Sequence, residues 1–234
     1  MARRQARLDA VADAIAARGA ERPQVLATDL GRDGAAARVA ALLAARDLEP
    51  AIVVNNAGFG LLGSAAELDR ERQLAMIDLD IRLLTELSLR FIEPMARHRG
   101  GLLNVASLAG FLPGPGMAVY FACKAYVLSF TQSLHRELAP SGIKVTAFCP
   151  GPIRTEFFAR AGVAGDKLPR TFVRSPERAA REAYHGFMKG RPLIVPGAIN
   201  KIAAMAPRFL PRSVLRSMVA AVGSNLPLQP TGLP

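Results

Sequence analysis

Residues 101–124 read GLLNVASLAGFLPGPGMAVYFACK, and this stretch decides the fold. Gly101–Ala106 is a short apolar run of the kind that forms a strand inside a sheet. A loop of small residues follows. The segment Tyr120–Leu138 then has helical spacing of its apolar residues, and Pro140 and Gly142 end it. A strand, a loop and a helix in this order predict one unit of a parallel α/β sheet.

The alternation of strand and helix continues on both sides of this unit. The run AIVVN at Ala51–Asn55 is continuously apolar, which predicts a strand buried on both faces. The further predicted strands are Gln24–Thr28, Lys144–Cys149 and Leu193–Val195. The further predicted helices are Gln5–Arg18, Asp33–Arg46, Arg70–Arg97 and Pro176–Lys189, with two short helices between Pro196 and Val222.

The chain has 234 residues and a net charge of +11. This length suits one domain, which we place at residues 1–195, with a basic amphipathic extension at residues 196–234. Gly151–Pro234 holds 13 Lys and Arg against 4 Asp and Glu, so most of the charge lies there. Ile199–Val222 mixes apolar and basic residues, which predicts either contact with an anionic membrane surface or a lid over a pocket. Nucleic acid is not an expected partner, because no recognition motif accompanies the charge.

The targeting and cysteine signals favour a cytoplasmic protein, with membrane-peripheral attachment as an alternative. The basic N-terminus carries Asp9 and Asp13 and has no apolar core, so it predicts a folded helix rather than a transit peptide. No run of 18 apolar residues predicts a transmembrane span. Cys123 and Cys149 are expected to be buried thiols in a reducing compartment, and no metal site is expected.

Polar motifs follow the predicted strands, where ligands of such sheets bind. Asn55-Asn56-Ala57-Gly58 follows one strand, Ser107 the next, and Pro150–Thr155 a third. Tyr120 and Lys124, four residues apart, share one helix face. An ammonium near a phenol favours the phenolate and lowers its pKa, so these groups with Ser107 could move a proton to or from a carbonyl or alcohol oxygen.

These ordered motifs resemble the short-chain dehydrogenase/reductase family over nearly the whole chain from Arg3. The resemblance implies a Rossmann-like, doubly wound parallel sheet. It implies that Tyr120 is the general acid/base, that Ser107 orients the substrate carbonyl, and that Lys124 lowers the pKa of Tyr120 and holds the nicotinamide ribose. The implied function is interconversion of a small apolar carbonyl compound and its alcohol by hydride transfer. The pocket would be formed by residues 110–119 and 157–172, and the long helices suggest a homo-oligomer.

The resemblance also implies the contacts of a nicotinamide cofactor. Asp29 resembles the acid that meets the adenine ring. Arg3, with Arg4, resembles the basic group that meets the 2′-phosphate of NADP, which favours NADP over NAD. The remaining implied cofactor contacts are Asn55, Ala57, Gly58, Tyr120, Lys124, Pro150, Gly151, Ile153 and Thr155.

Two departures from the family stand out. The glycine-rich TGxxxGxG turn and the first two strands are missing, a unit of about 30 residues that would bind the pyrophosphate. Its loss would leave Ala51–Asn55 as an exposed apolar sheet edge. Either the true start lies upstream, which we favour, or the chain is a truncated relative. In addition, Asp80 stands where the family has an Asn that supports a water-mediated proton relay at a helix irregularity, so Asp80 joins the candidate catalytic residues.

The sequence therefore leaves two functions open. The intact Ser107, Tyr120 and Lys124 favour an NAD(P)-dependent oxidoreductase. The missing phosphate-binding turn favours a non-catalytic binding or scaffold protein on a degenerate dehydrogenase fold.

Overall fold

The computed structural model of the protein describes residues 3–162, 173–211, 213–215 and 217. The strands are β1 (Ile52–Asn55), β2 (Gly101–Val105), β3 (Lys144–Phe148) and β4 (Leu193–Ile194). The helices are α1 (Gln5–Ala16), α2 (Ala35–Ala44), α3 (Arg70–Ile77), α4 (Leu84–Arg90), α5 (Ile92–Arg97), α6 (Ala118–Glu137), α7 (Phe157–Ala161), α8 (Pro176–Met188) and α9 (Ala198–Met205). A π-helical segment, Asp78–Leu83, joins α3 to α4.

The four strands form one parallel sheet in the order β1-β2-β3-β4. In its register, Asn55 pairs with Asn104 and Val105 pairs with Phe148. The carboxyl ends of β1, β2 and β3 therefore meet at one edge of the sheet. The predicted α/β fold with a parallel sheet is confirmed, and the predicted strands at these four places are present.

Helices pack on both faces of this sheet. Neighbouring residues of a strand show this, because their side chains point to opposite faces. Ala147 packs with Leu84 and Val127 of α4 and α6. The next residue, Phe148, packs with Ala183 and Phe187 of α8. The central strands are thus covered on both sides, which explains their continuous apolar sequence.

The first strand differs from this expectation. Ile52 and Val54 are 47% and 55% exposed, so the prediction that this strand is buried on both faces is wrong. β1 lies at the edge of the described sheet, and its face with Ile52 and Val54 lacks the cover that β2 and β3 have. The prediction of an exposed apolar edge at this strand is confirmed.

The chain divides into two compact units, one up to Glu49 and one from Pro50. The first contains α1 and α2, and Gly19 ends the turn after α1 with a φ of 82°. The predicted strand Gln24–Thr28 is wrong, because the structure gives it only one bridge position, at Ala27. A short extended segment without a ladder of backbone hydrogen bonds does not become a strand, whatever its propensity.

The predicted long helix Arg70–Arg97 is interrupted twice. The π-helical segment widens it at Asp78–Leu83. A second break falls at Phe91, between α4 and α5. Pro94 explains the second break, because its ring lacks an N–H and would clash with the carbonyl four residues earlier, at Arg90.

Candidate functional site

The candidate site lies at the carboxyl edge of the sheet in the second unit. The ends of β1, β2 and β3 carry Asn55–Gly58, Ser107 and Pro150–Thr155 respectively. The prediction that these motifs follow strands is confirmed. The first two turns of helix α6 carry Tyr120 and Lys124.

Tyr120 and Lys124 face each other as their spacing predicted. The Lys124 Nζ lies 5.7 Å from the centroid of the Tyr120 ring. Tyr120 is half-buried beside Phe121 and Phe157, whose ring centroid is 5.3 Å away. The phenol is therefore held by aromatic neighbours, with a buried cation on one side.

Lys124 is buried and has two polar neighbours. Its Nζ lies 3.2 Å from Asp80 Oδ2 and 3.3 Å from the carbonyl oxygen of Val105. Asp80 is fully buried, and its Oδ1 accepts a 3.2 Å hydrogen bond from the Phe59 N–H. Asp80 is thus brought into the site by the π-helical segment, as its position in the sequence predicted.

The ionisation of these groups reflects burial first. Burial raises the pKa of the Tyr120 phenol above its ordinary value, while Lys124 and a hydrogen bond with Ser107 act to lower it and Asp80 acts to raise it further. Burial also raises the pKa of Asp80, against the opposing effects of Lys124 and the Phe59 N–H. Lys124 favours the phenolate as predicted, but burial outweighs it.

The two cysteines also lie near the site, and both are buried free thiols, as predicted. Burial raises the pKa of Cys123 to about 11 and that of Cys149 to about 12. Both thiols are therefore protonated at neutral pH, and neither has the thiolate character of a nucleophile.

A buried network of polar side chains supports the site from beneath. Asn55 Nδ2 donates to Asn104 Oδ1 at 2.9 Å and to Ser88 Oγ at 3.0 Å. Asn104 Nδ2 donates in turn to Thr131 Oγ1 at 3.0 Å. The Asn55 side-chain amide therefore donates its hydrogen bonds to other residues of the protein. Sequence reasoning missed Asn104 and Thr131, although a polar residue in the middle of an apolar strand was a signal for Asn104.

The two predicted cofactor loops make close contacts at their glycines. A Cβ at Gly58 would lie 2.7 Å from Asp80 Oδ1, and one at Gly151 would lie 2.6 Å from Asn200 Nδ2. Real Cβ atoms essentially never approach so closely, so each position requires glycine or a shift of its neighbour. Asn200, on α9, is buried and was also missed. Asn56, Ala57 and Gly58 are exposed, so their backbone is open to a ligand.

The loop after β3 continues into α7, which the sequence did not predict. Ile153 forms a bridge with Arg174, and Thr155 Oγ1 accepts a 3.3 Å hydrogen bond from the Phe157 N–H at the start of α7. Pro150 is buried, whereas Thr155 is exposed. The loop is thus fixed at both ends.

Arg3 and Asp29 belong to the first unit. Asp29 follows the bridge position at Ala27, and its Oδ1 accepts a 3.0 Å hydrogen bond from the Gly31 N–H. Arg3 is exposed and precedes α1. Their contacts with a cofactor stay predictions.

A small cavity of about 10 Å³ borders Tyr120. Met117, Ala118 and Val119 of the predicted pocket loop line it, together with residues that sequence reasoning missed: Leu61, Gly63, Ala65, Leu68, Gln73 and Met76. Phe157 of the second predicted pocket segment packs on Tyr120, while residues 163–172 of that segment lie outside the described residues.

Two further features are absent from the described residues. No helix in them is both long and apolar enough to span a membrane. No three His, Cys, Asp or Glu side chains in them converge in a way that could hold a metal ion.

Known proteins match this chain over most of its length. SadH of Mycobacterium tuberculosis, a protein named as an oxidoreductase, is 30% identical over 187 residues, covering 75% of this chain and 68% of its own. YbbO of Escherichia coli, named as an uncharacterized oxidoreductase, is 28% identical and covers 60% of this chain and 55% of its own.

Solved structures agree with these relatives. A short-chain dehydrogenase from Sphingobium yanoikuyae in complex with NADPH is 29% identical, with a TM-score of 0.76 over 99% of this chain and 86% of that one. A bulky-bulky ketone specific alcohol dehydrogenase from Comamonas testosteroni is 25% identical, with a TM-score of 0.73 over 100% of this chain and 86% of that one.

The family model described as short chain dehydrogenase matches residues 1–163. The site geometry, the relatives and this match agree. The chain therefore belongs to the short-chain dehydrogenase/reductase family, whose enzymes carry out NAD(P)-dependent oxidoreduction.

Proposed function

We propose that the protein interconverts a carbonyl compound and its alcohol, with Tyr120 as the general acid/base. The observation that carries this proposal is the convergence of Tyr120, Lys124 and Ser107 at the carboxyl ends of β2 and β3. A phenol with a cation and a hydroxyl beside it can give or take a proton at a substrate oxygen.

The proton and the hydride move together in this reaction. The bound nicotinamide supplies the hydride in reduction and accepts it in oxidation. In reduction, the Tyr120 O–H donates its proton to the carbonyl oxygen as the carbonyl carbon gains a C–H bond, and a proton from water then restores the phenol. In oxidation, the Tyr120 phenolate accepts the proton of the alcohol as the C–H bond breaks. Ser107 orients the substrate oxygen by a hydrogen bond.

The residues present fit a nicotinamide ribose. Lys124 has three N–H donors. One donates to the Val105 carbonyl oxygen, and the ammonium forms an ion pair with Asp80 Oδ2. An N–H that remains can donate to a ribose hydroxyl beside Tyr120. The exposed backbone of Asn56–Gly58 and the loop Pro150–Thr155 flank this point. We further propose that Asp29 meets the adenine and that Arg3 favours NADP, which agrees with the NADPH bound by the Sphingobium relative.

The side chains around the phenol support an apolar substrate. Leu61, Leu68, Met76 and Met117 line the cavity that borders Tyr120, and Phe157 packs on its ring. Such surroundings favour an apolar group attached to the carbonyl. The ketone specificity in the name of the Comamonas relative agrees with this class.

A matched pair of tyrosine variants tests the proposal. Tyr120→Phe should abolish NADPH-dependent reduction of a panel of apolar ketones, followed by NADPH absorbance. Tyr126 lies on the same helix, where its hydroxyl forms a 2.9 Å hydrogen bond with that of Thr85. Tyr126→Phe is the control and should keep the activity. Turnover by Tyr120→Phe near the wild-type rate would remove Tyr120 from its role.

A non-catalytic scaffold is the second candidate. The absence of a TGxxxGxG sequence from the 234 residues favours it. Calorimetric titration of the purified chain with NADPH separates the two candidates. Micromolar binding favours the enzyme, whereas no binding together with no turnover favours the scaffold.

The extension from residue 196 is proposed to contact an anionic membrane surface from a cytoplasmic position. Ile199, Ile202, Met205 and Phe209 are exposed and follow helical spacing along α9 and the turn after it. Lys201 and Arg208 lie among them, while Arg212 and Arg216 fall outside the described side chains. Co-sedimentation with phosphatidylserine vesicles should fall when Ile202 and Phe209 are both changed to Ser. A lid role instead predicts altered KM with unchanged sedimentation.

A homo-oligomer is proposed through the outer faces of α3, α4 and α6. Leu74, Leu89 and Tyr126 on these helices are exposed, and Tyr126 stacks on Phe130 at 5.7 Å. Burial of such apolar surface would stabilise association. Leu89→Glu should lower the molar mass measured by light scattering, and an unchanged mass would exclude this surface.

A further inference from the structure

The buried partner of Lys124 is an acid. Asp80 Oδ2 lies 3.2 Å from the Lys124 Nζ, and both side chains are almost fully excluded from water. The π-helical segment Asp78–Leu83 holds Asp80 there, and the Phe59 N–H fixes its other oxygen. Gly58 lies directly against the carboxylate, so the acid has little room to turn away.

Few ionisable groups face Tyr120 besides this pair. Lys124 and Cys123 face it from α6, Asp80 from the π-helical segment, and the Ser107 hydroxyl from the end of β2. Cys123, with a pKa of about 11, is a neutral thiol at physiological pH. Cys149, which faces Lys124 from the end of β3, is neutral as well, with a pKa of about 12. One cation and one anion therefore dominate the field at the phenol.

These two charges act on the phenol in opposite directions. A lone ammonium would favour the phenolate, because opposite charges attract. The carboxylate 3.2 Å from that ammonium cancels much of its field and repels the phenolate. Since the pair is buried, water does little to screen either effect.

We propose that Asp80 is a positioning residue that holds Lys124 in a neutral ion pair and so keeps Tyr120 in its proton-bearing form, which biases the site toward reduction of carbonyl compounds. This inference rests on the proposed function, since it concerns the proton that Tyr120 donates. The phenol is then ready to donate at neutral pH. Oxidation needs the phenolate, and it gains rate only as the pH rises.

Replacement of Asp80 by neutral residues tests the proposal. Asp80→Asn keeps the size and an oxygen that can accept from the Phe59 N–H. Asp80→Ser is smaller and also uncharged, so it covers the case in which the first variant fails to fold. Asp78→Asn is the matched control, because Asp78 belongs to the same π-helical segment but is half-exposed and pairs with Arg82 at 3.0 Å.

The first measurement is the ionisation of Tyr120, read from tyrosinate absorbance during an alkaline titration. Subtraction of the same titration with Tyr120→Phe in each background isolates Tyr120 from Tyr126 and Tyr184. The neutral variants should ionise Tyr120 about tenfold more readily, a midpoint about one pH unit lower. Asp78→Asn should leave the midpoint unchanged. A midpoint that Asp80→Asn and Asp80→Ser leave in place, or raise, overturns the proposal.

This titration uses no cofactor and no substrate, so its result stands apart from the proposed function. If the protein oxidises an alcohol with NADP, the pH dependence of that reaction is a second measurement. The alkaline rise of kcat/KM for NADP-dependent alcohol oxidation should move to lower pH by the same interval in Asp80→Asn, whereas Asp78→Asn should leave it at the wild-type pH. If the alkaline rise of kcat/KM stays at the wild-type pH although the Tyr120 midpoint has shifted, the proposed bias toward carbonyl reduction is overturned.

Discussion

Asn104 Nδ2 donates a 3.0 Å hydrogen bond to Thr131 Oγ1, which joins the middle strand of the site to the helix that carries Tyr120. Both residues are fully buried. Asn55 extends this connection to β1, because its amide donates to Asn104 at 2.9 Å. Three elements that carry site residues are thus held in register by polar groups that have no access to water. We expect the network to fix the geometry of the site and also to contribute to stability.

Thr131→Val removes one hydroxyl from this network and keeps the side-chain shape. It should lower the free energy of unfolding by about 1–3 kcal/mol, because the Asn104 amide then loses its buried acceptor. Urea denaturation measures the change. Ser133→Ala is the control, since Ser133 donates to the carbonyl four residues earlier, as Thr131 does, but is exposed. An equal loss in both variants would mean that the Asn104 contact adds nothing.

Lys124→Met should destabilise the protein in a pH-dependent way. The change leaves Asp80 buried without its cation, a loss of about 3 kcal/mol while the carboxylate is charged. A carboxyl with a raised pKa stabilises the fold fully below its unfolded value of 3.8, and this contribution is lost as the pH rises through the folded pKa. Removal of Lys124 raises that pKa further.

The deficit of Lys124→Met relative to wild type should therefore be small near pH 4 and grow toward neutral pH. Urea denaturation across this range measures it. The double variant with Asp80→Asn should recover most of the loss, because no buried charge remains. A deficit that does not depend on pH would show that lost packing, rather than the ion pair, is responsible.

Gly58→Ala should impair activity by displacing Asp80. The added Cβ would lie 2.7 Å from Asp80 Oδ1, so the carboxylate must move away from Lys124 or the loop must shift. We expect at least a tenfold loss of kcat/KM, about 1.4 kcal/mol in transition-state stabilisation. In an Asp80→Ser background the shorter side chain leaves room, and the added methyl should cost much less. Equal losses in both backgrounds would contradict this contact.

Particular elements show how much of this structure the sequence could predict. Tyr120 and Lys124 were placed correctly because helical spacing is a local rule. Periodicity predicted one helix through Asp78–Leu83, and only the family resemblance indicated an irregularity at Asp80. The segment Gln24–Thr28 has strand propensity, but a strand needs a partner, and partners are not visible locally. The five residues of α7 are too few to show a helical period.

The same limit explains the error at β1, whose apolar run predicted burial that an edge strand does not have. Ile52 and Val54 instead expose apolar side chains on a strand at the edge of the described sheet. Such an edge favours pairing with other chains.

Val54→Lys should therefore slow aggregation in light-scattering assays at raised temperature and change the free energy of unfolding by less than about 0.5 kcal/mol. Ala66→Lys adds the same charge at an exposed position outside the strands, so it should leave the rate unchanged if the edge, rather than net charge, drives association. An equal reduction by both variants would assign the effect to charge repulsion between whole molecules.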